Sequence, residues 1–286
     1  MMSSTDSSGE RVTVRSSDDA VEAVAFLARS EHRVRVLELL SDGSRTRDEL
    51  KVGTSVTRVT LSRILRDLEE RGWVRRNHET SEYCLTAYGK LVYEDFSQLL
   101  GTMSVGQSHP DLVERLPTEW FDFNIGVLAE GERVVSENAD PMAAPRAVAN
   151  AVRRASSVRA LVGSFTSLPM HAHAEATRQG TDPDAKVVYD SEAAAVALDN
   201  PDIRTRWQNI ESEHGEAIYY SVEERFPCNV DLIDDEVYLS VGDEHGRTFD
   251  VIRCGHPAVV TWARELFERK RTHATPLRKR VTADDA

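Results

Sequence analysis

Lysine is scarce in this 286-residue chain: Lys51, Lys90, Lys186, Lys270 and Lys279 are its whole supply, within 35 Lys plus Arg set against 48 Asp plus Glu. The net charge of −13 excludes a uniformly basic coat that would hold nucleic acid or an anionic membrane over the whole surface. An acid-rich, lysine-poor surface is instead what stays solvated in concentrated salt, so a halophilic source is expected. Cysteine is scarce too. Cys84, Cys228 and Cys254 are an odd number without metal-ligand spacing, which argues against a disulfide framework and for buried, reduced thiols. No apolar run approaches the roughly 20 residues that span a bilayer, and Met1 to Arg11 is Ser-rich and polar, so the expectation is a cytoplasmic chain with no membrane partner. There is no Gly-rich phosphate loop, no Ser-His-Asp order and no Cys-x-x-Cys. These absences lead us to expect neither an enzyme nor a cofactor-carrying protein.

What is present is one basic island. Arg45 to Arg76 holds nine Lys or Arg against five acids, a net of +4, so the remainder carries −17. A local cationic face on a repulsive acidic body suits double-stranded DNA, since neutralised phosphates supply most of the affinity. The pattern is sharper than the charge. Thr46 caps a short helix-like segment, Arg47 to Leu50, with Glu49 placed for a capping box. Gly53, Thr54 and Ser55 are expected to break it. A second helix is predicted from about Val56 to Arg71, with Leu61, Ile64, Leu65 and Leu68 forming one apolar stripe. Off that stripe lie Thr57, Arg58, Thr60, Arg63 and Arg66, hydroxyls and guanidiniums suited to base edges and phosphates. After Gly72 the period becomes extended: Trp73 to Arg76, a polar turn over Asn77 to Ser81, then Tyr83 to Thr86, a hairpin that would carry Arg75, Arg76 and His78 to phosphate or minor groove.

The order helix, turn, helix, hairpin resembles the winged helix-turn-helix family of prokaryotic transcription regulators. The carrying phrases are Thr60-Leu-Ser-Arg-Ile-Leu-Arg-Asp-Leu-Glu-Glu-Arg-Gly-Trp-Val74 and Leu85-Thr-Ala-Tyr-Gly89, and the resemblance covers roughly residues 18 to 102. It implies that the Val56 to Arg71 helix is the recognition helix. Helices over Asp18 to Arg29 and Glu31 to Ser41 should pack beneath it, and one from about Ala87 to Leu100 should carry Leu91, Val92, Phe96, Leu99 and Leu100. That wide stripe suits dimerisation, as the equivalent helix often does in the family, or packing on a second domain.

Beyond a linker-like stretch from Gly101 to Asp111 the pattern becomes mixed. Helices are expected over Ala147–Ala155, from Met170 to Arg178, after a cap at Ser191, over Pro201–Glu213 and over Ala258–Arg271. Strands are expected at Val158–Gly163, Ala185–Tyr189, Ala217–Ser221, Val230–Ile233, Val237–Val241 and Thr248–Ile252. The Val158 strand, the Asp231 to Ser240 hairpin and Pro257 to Phe267 are similar to effector domains of archaeal winged-helix regulators, the FilR-type middle domain above the TrmB-like kind. With the charge pattern, this resemblance points to a haloarchaeal regulator whose second domain senses a small effector or mediates oligomerisation.

The alternatives are a phospholipase D-like hydrolase relative and a DNA-independent interaction module. Placing Asp234 at the acidic end of a His-x-Lys-x4-Asp motif puts Pro227 where the nucleophile belongs and Asn229 where the cation belongs. Neither can do that work. His171 and His173 form a His-x-His pair, but on a helix such residues point apart, and a surface helix explains them better than a metal. Asp199, Asp202, Asp234 and Asp235 are candidates for a polar pocket, though charge runs of this kind are usually a solvated face.

The expected architecture is α+β: a tail over 1–17, a winged helix-turn-helix over 18–102, a linker over 103–117, an α/β effector or regulatory domain over 118–276 and a tail over 277–286. The chain is read as a non-enzymatic, DNA-binding, homodimeric transcription regulator without metal or cofactor.

Overall fold

A computed structural model of the chain describes residues 18–108, 110–136, 139–181, 183–242 and 249–284. The expected tail over 1–17 and the strand start at Thr248 lie outside these residues. The chain divides into two compact units, Met1–Ser97 and Gln98–Ala286.

The first unit opens with helices α1 (Asp18–Ala28) and α2 (Glu31–Ser41), followed by a short strand β1 (Arg45–Thr46) and helix α3 (Arg47–Thr54). The capping box at its start is complete: Thr46 Oγ1 accepts from the Glu49 amide and the Glu49 carboxylate accepts from the Thr46 amide. Helix α3 runs through the expected break at Gly53 and Thr54 and is closed by Ser55, which takes the left-handed conformation at φ 56°. Helix α4 (Arg58–Glu70) begins with Thr57 as its N-cap. Strands β2 (Val74–Arg76) and β3 (Glu82–Leu85) form the hairpin, and β1 pairs antiparallel with β3, giving the order β1-β3-β2. Leu61, Ile64, Leu65 and Leu68 are all buried, as the stripe required, against Leu27, Val36, Leu37, Leu40 and Leu50. Gly89 touches the hairpin's root so closely that a Cβ there would stand 1.8 Å from the Trp73 carbonyl oxygen.

Helix α5 (Ala87–Ser108) has 22 residues and continues well past the expected end at Leu100. The linker expected over 103–117 is therefore corrected. Helix α5 runs through Ser108, Pro110 begins a short α6 (Pro110–Val113), and Val105, Leu112 and Leu116 are buried in the second unit's core. Small and polar residues suggested a tether there. Apolar anchors spaced among them hold the segment in place.

The second unit is an eight-stranded mixed sheet with helices on both faces. Two 3₁₀ turns precede β4 (Glu132–Val135) and α7 (Ala143–Val152). Then come β5 (Ser157–Val162), α8 (Leu168–Arg178), β6 (Asp184–Tyr189), α9 (Ser191–Asp199) and α10 (Pro201–His214). Four strands follow: β7 (Tyr219–Ser221), β8 (Asn229–Ile233), β9 (Glu236–Gly242) and β10 (Phe249–Cys254). Helix α11 (Pro257–Thr272), strand β11 (Thr275–Pro276) and helix α12 (Leu277–Asp284) close the chain. The sheet order is β11-β7-β6-β5-β8-β9-β10-β4, parallel between β5, β6 and β7 and antiparallel elsewhere.

Two expectations about ends are corrected here. The tail expected over 277–286 is helix α12, anchored by the fully buried Leu277; its run of basic residues hid a single apolar anchor. Helix α9 is capped by Asp190 rather than Ser191, because the Asp190 carboxylate accepts from the Ala193 amide. Asp190 also accepts from the Phe226 amide and the Arg225 guanidinium, which ties the start of α9 to the loop before β8.

Alternation along the strands sorts side chains to the two faces. Leu161, Val188, Val230, Leu232 and Leu239 face α11 through Val259, Trp262, Ala263 and Leu266. Val158, Ala160, Ala185 and Tyr189 face the other way, toward Val148, Val152 and Met170 of α7 and α8. Cys228 and Cys254 are buried and Cys84 half-buried, all as free thiols, and burial pushes the Cys228 thiol up to about 12. Among the described residues no helix is long and apolar enough to cross a membrane.

Candidate nucleic-acid interface and a lined cavity

Burying the four apolar residues of α4 fixes which of its residues face outward. Thr57, Arg58, Arg63 and Arg66 are exposed and Thr60 is half-buried. The Thr57 and Thr60 hydroxyls lie 2.9 Å apart, and Thr57 Oγ1 also accepts from the Thr60 amide, so both belong to the cap of the helix start. Arg58 keeps a long contact of 3.9 Å to Asp48 across solvent. Arg66 lies 3.7 Å from Glu70 and 3.8 Å from Asp67, so its charge is partly offset by its own helix.

Arg63 belongs to a different grouping. It borders a recess with Glu22, Phe26, Arg29, Arg33 and Arg71. The Arg33 and Arg71 guanidiniums lie 3.7 Å and 4.0 Å from the Phe26 centroid, which holds those two cations by cation–π attraction. The predicted contact set therefore spans two patches of α4 rather than one continuous row. On the hairpin, Arg75, Arg76 and His78 are all exposed.

One residue of this surface escaped the sequence reading. Val59 is 80 % exposed on the first turn of α4, beside Arg58, Arg63 and Arg66. An apolar side chain left in water there can meet a thymine methyl. The signal was available: Val59 falls off the stripe that Leu61, Ile64, Leu65 and Leu68 define.

The second unit holds a partly open cavity on the sheet face beneath α7 and α8. Strands β5, β6 and β8 furnish its floor, Pro145, Val148 and Met170 its roof, and Tyr189, Tyr219 and Phe249 its aromatic walls. Asn229, Asp231 and Ser240 are its polar floor, in adjacent strands where Asn229 opposes Ser240 and Asp231 opposes Tyr238. Burial raises the Asp231 carboxyl to about 7. Tyr189 and Tyr219 are likewise pushed upward by burial, with the Glu211 charge adding to both.

His173 borders this cavity and is buried, which corrects the surface assignment of the His-x-His pair. His171, two residues earlier, is exposed and bonded to the Ser167 carbonyl, so the two rings do point apart. His173 Nδ1 lies 3.4 Å from the Tyr219 hydroxyl, and its ring stands 5.3 Å from that of His214. Asp199, Asp202, Asp234 and Asp235 are all exposed and none borders the cavity. The acid that matters is Asp231. It could have been found as an acid that alternates, with Asn229, against the apolar Val230 and Leu232 of one strand.

The residues placed on the hydrolase motif have structural employment. Asn229 Oδ1 accepts from the Gly163 and Ser164 amides and its amide donates to the Ser164 carbonyl, fixing the end of β5. Asp234, left-handed at φ 51°, accepts from the Ser156 and Ser157 amides.

Comparison with known proteins places both units. Residues 21–108 match the family described as the HVO_A0261 N-terminal domain, and residues 141–273 match the middle domain of the methanogenesis regulatory protein FilR1. Among solved structures, TrmBL2, described as an archaeal chromatin protein, is 16 % identical, with 91 % of this chain and 100 % of that one covered at a TM-score of 0.40. A cysteine-to-serine mutant of MarR from E. coli is 30 % identical over 34 % of this chain and 74 % of its own, with a TM-score of 0.26. NadR in complex with 4-hydroxyphenylacetate is 24 % identical over 34 % of this chain and 80 % of that chain, also at 0.26. No curated protein matches the chain.

Proposed function

We propose that this chain, a helix-turn-helix transcription regulator joining an HVO_A0261-type N-terminal domain to a FilR1-type middle domain, reads duplex DNA with α4 and signals the state of an effector cavity to it. The observation that carries the reading is the division of α4: four leucine and isoleucine side chains locked in the core, and Arg58, Val59, Arg63 and Arg66 presented to solvent. Thr57 and Thr60 cap the helix start, where amides and dipole favour a phosphate. Arg75, Arg76 and His78 on the hairpin contact the flanking backbone or minor groove. The domain limits we favour divide the chain within α5, near Ser97, with α6 and α12 belonging to the effector domain.

A single reader covers few base pairs, so a homodimer on a pseudo-palindrome is part of the proposal. Exposed Tyr88, Leu91, Leu99, Leu100 and Met103 on α5 support that role for the helix. The acid excess supports a salt-rich cytoplasm, where screening weakens phosphate contacts and leaves more of the discrimination to base edges. The middle domain binds its effector without transforming it; the backbone hydrogen bonds of Asn229 and Asp234 support this, since both side chains are already committed to holding loops.

The test is binding of the full chain to its selected operator across a salt series. Arg63→Ala is expected to cost about 1 to 3 kcal/mol and to relax preference at one base position. Arg76→Ala should weaken all sequences alike and reduce the salt slope by about one. Equal, sequence-independent losses from both substitutions, or a monomer on DNA by light scattering, would overturn the reading.

A further inference from the structure

The cavity of the second unit has a chemical bias written into its lining. Its side chains are apolar or aromatic apart from Thr166, His173, two tyrosines and the floor triad Asn229, Asp231 and Ser240, and among the described residues no Lys or Arg borders it. Asn229 is engaged at both ends of its amide by the β5 terminus. Asp231 is different. It is only 6 % exposed, and among the described residues its carboxyl accepts no hydrogen bond and meets no cation. A buried carboxyl left without a donor costs stability, and such a group aimed into a cavity is completed by whatever enters.

Resting on the sensor reading above, we propose that this cavity takes a small, largely apolar or aromatic ligand that donates a hydrogen bond to Asp231 from an amine or hydroxyl, and that it rejects carboxylates and phosphates. Apolar roof and aromatic walls supply the burial of the ligand's body. Asp231 supplies the single strong acceptor, and its position opposite Tyr238 in the central strands fixes where the donor must sit. An anion entering the same space would meet a carboxyl and no compensating guanidinium or ammonium. The rejection of anions is thus as much a property of the lining as the attraction of a donor.

Three probes of matched shape separate these claims: phenethylamine, phenethyl alcohol and phenylacetate, titrated into the full chain by calorimetry at pH 7.5. The expected result is binding in the order amine, alcohol, carboxylate, with at least a tenfold gap between the first and last. Asp231→Asn should reduce that gap to threefold or less. Should the variant not fold, the order of the three probes on the native chain decides alone. Phenylacetate binding as well as phenethylamine, an unchanged gap in a folded Asp231→Asn chain, or no binding by any of the three overturns the proposal. Operator affinity is measured in parallel with each probe. A chain that binds phenethylamine without any change in DNA affinity supports the cavity chemistry while refuting the sensor. One that binds phenylacetate best refutes the cavity chemistry, and a change in its DNA affinity then upholds the sensor by itself.

Discussion

The outward face of α4 and the inward face of the cavity are opposites in charge. One presents Arg58, Arg63 and Arg66 to water, where a partner must bring the anions. The other has no Lys or Arg among the described residues and a lone carboxyl on its floor. In a chain of net charge −13, the proposed reader face carries cations, and the lining of the proposed effector cavity carries no Lys or Arg among the described residues. Exposed cations act through long-range attraction that salt weakens, whereas a buried acid acts at contact and is screened little. The two sites should therefore respond differently to the same perturbations.

The largest effect should come from breaking the second unit's charge network without touching its cavity. Asp250 is buried and joins Arg115 at 2.5 Å and Arg133 at 2.7 Å, with Asp111 on the same Arg133 at 2.9 Å. Asp250→Ala takes the buried acid from two largely buried guanidiniums and leaves them only the more exposed Asp111, and is expected to cost about 3 kcal/mol. Denaturant unfolding checks this. Double substitution with Arg115→Met should recover part of the loss, because removing a charge is cheaper than stranding it.

The matching lesion in the first unit is Gly89→Ala. Its new methyl would collide with the Trp73 carbonyl oxygen, which is backbone and cannot swing aside. Overpacking of this kind costs about 1 to 3 kcal/mol. It should also shift the hairpin carrying Arg75 and Arg76, so operator affinity falls while probe binding to the cavity persists. Loss of both activities together would deny the independence of the two sites.

A smaller effect separates the sites by pH. Burial lifts the Asp231 carboxyl to about 7 from an unfolded value near 4. Between those limits the folded chain holds a proton that the unfolded chain has released, so this group's contribution to stability falls as pH rises through the window and levels off above about 7. Water entering the cavity limits the loss, which we place at about 1 to 2 kcal/mol. Asp231→Asn should flatten that part of the curve.

These contrasts also mark what the sequence made legible. Helix α4 was readable because a short amphipathic element declares its own faces: Leu61, Ile64, Leu65 and Leu68 determine where Arg63 must point. The Thr46 and Glu49 capping box was equally local. The cavity was not readable, because its floor is assembled from β5, β6, β8 and β9, and a single strand such as Asn229–Ile233 is buried on both faces. Asn229 and Asp231 do alternate with Val230 and Leu232, but a polar side on one strand does not read as a lining until the neighbouring strands are paired beside it. Asp231 stood in an apolar run while Asp234 and Asp235, two exposed turn residues, drew the attention. Composition misled at the ends of elements as well, where Val105 and Leu277 anchor segments that otherwise look like linker and tail.

The smallest predicted effect sharpens the reader itself. Thr57 caps α4 by accepting from the Thr60 amide and stands exposed at the helix end that, on the proposed reading, would face a phosphate. Thr57→Ala removes the hydroxyl and should cost about 1 kcal/mol of stability with a loss of operator affinity. Thr57→Ser restores the oxygen at the same position, so stability and affinity should both return to within roughly a few tenths of a kcal/mol of the native values. Thr57→Asp is the informative third case. A carboxylate is a good N-cap and interacts favourably with the helix dipole, so stability should hold or rise, while the added negative charge repels a phosphate at that end. Stability preserved with affinity lost would place Thr57 against the DNA backbone; stability and affinity both preserved would confine it to capping and move the phosphate contact to the Arg63 recess or the hairpin.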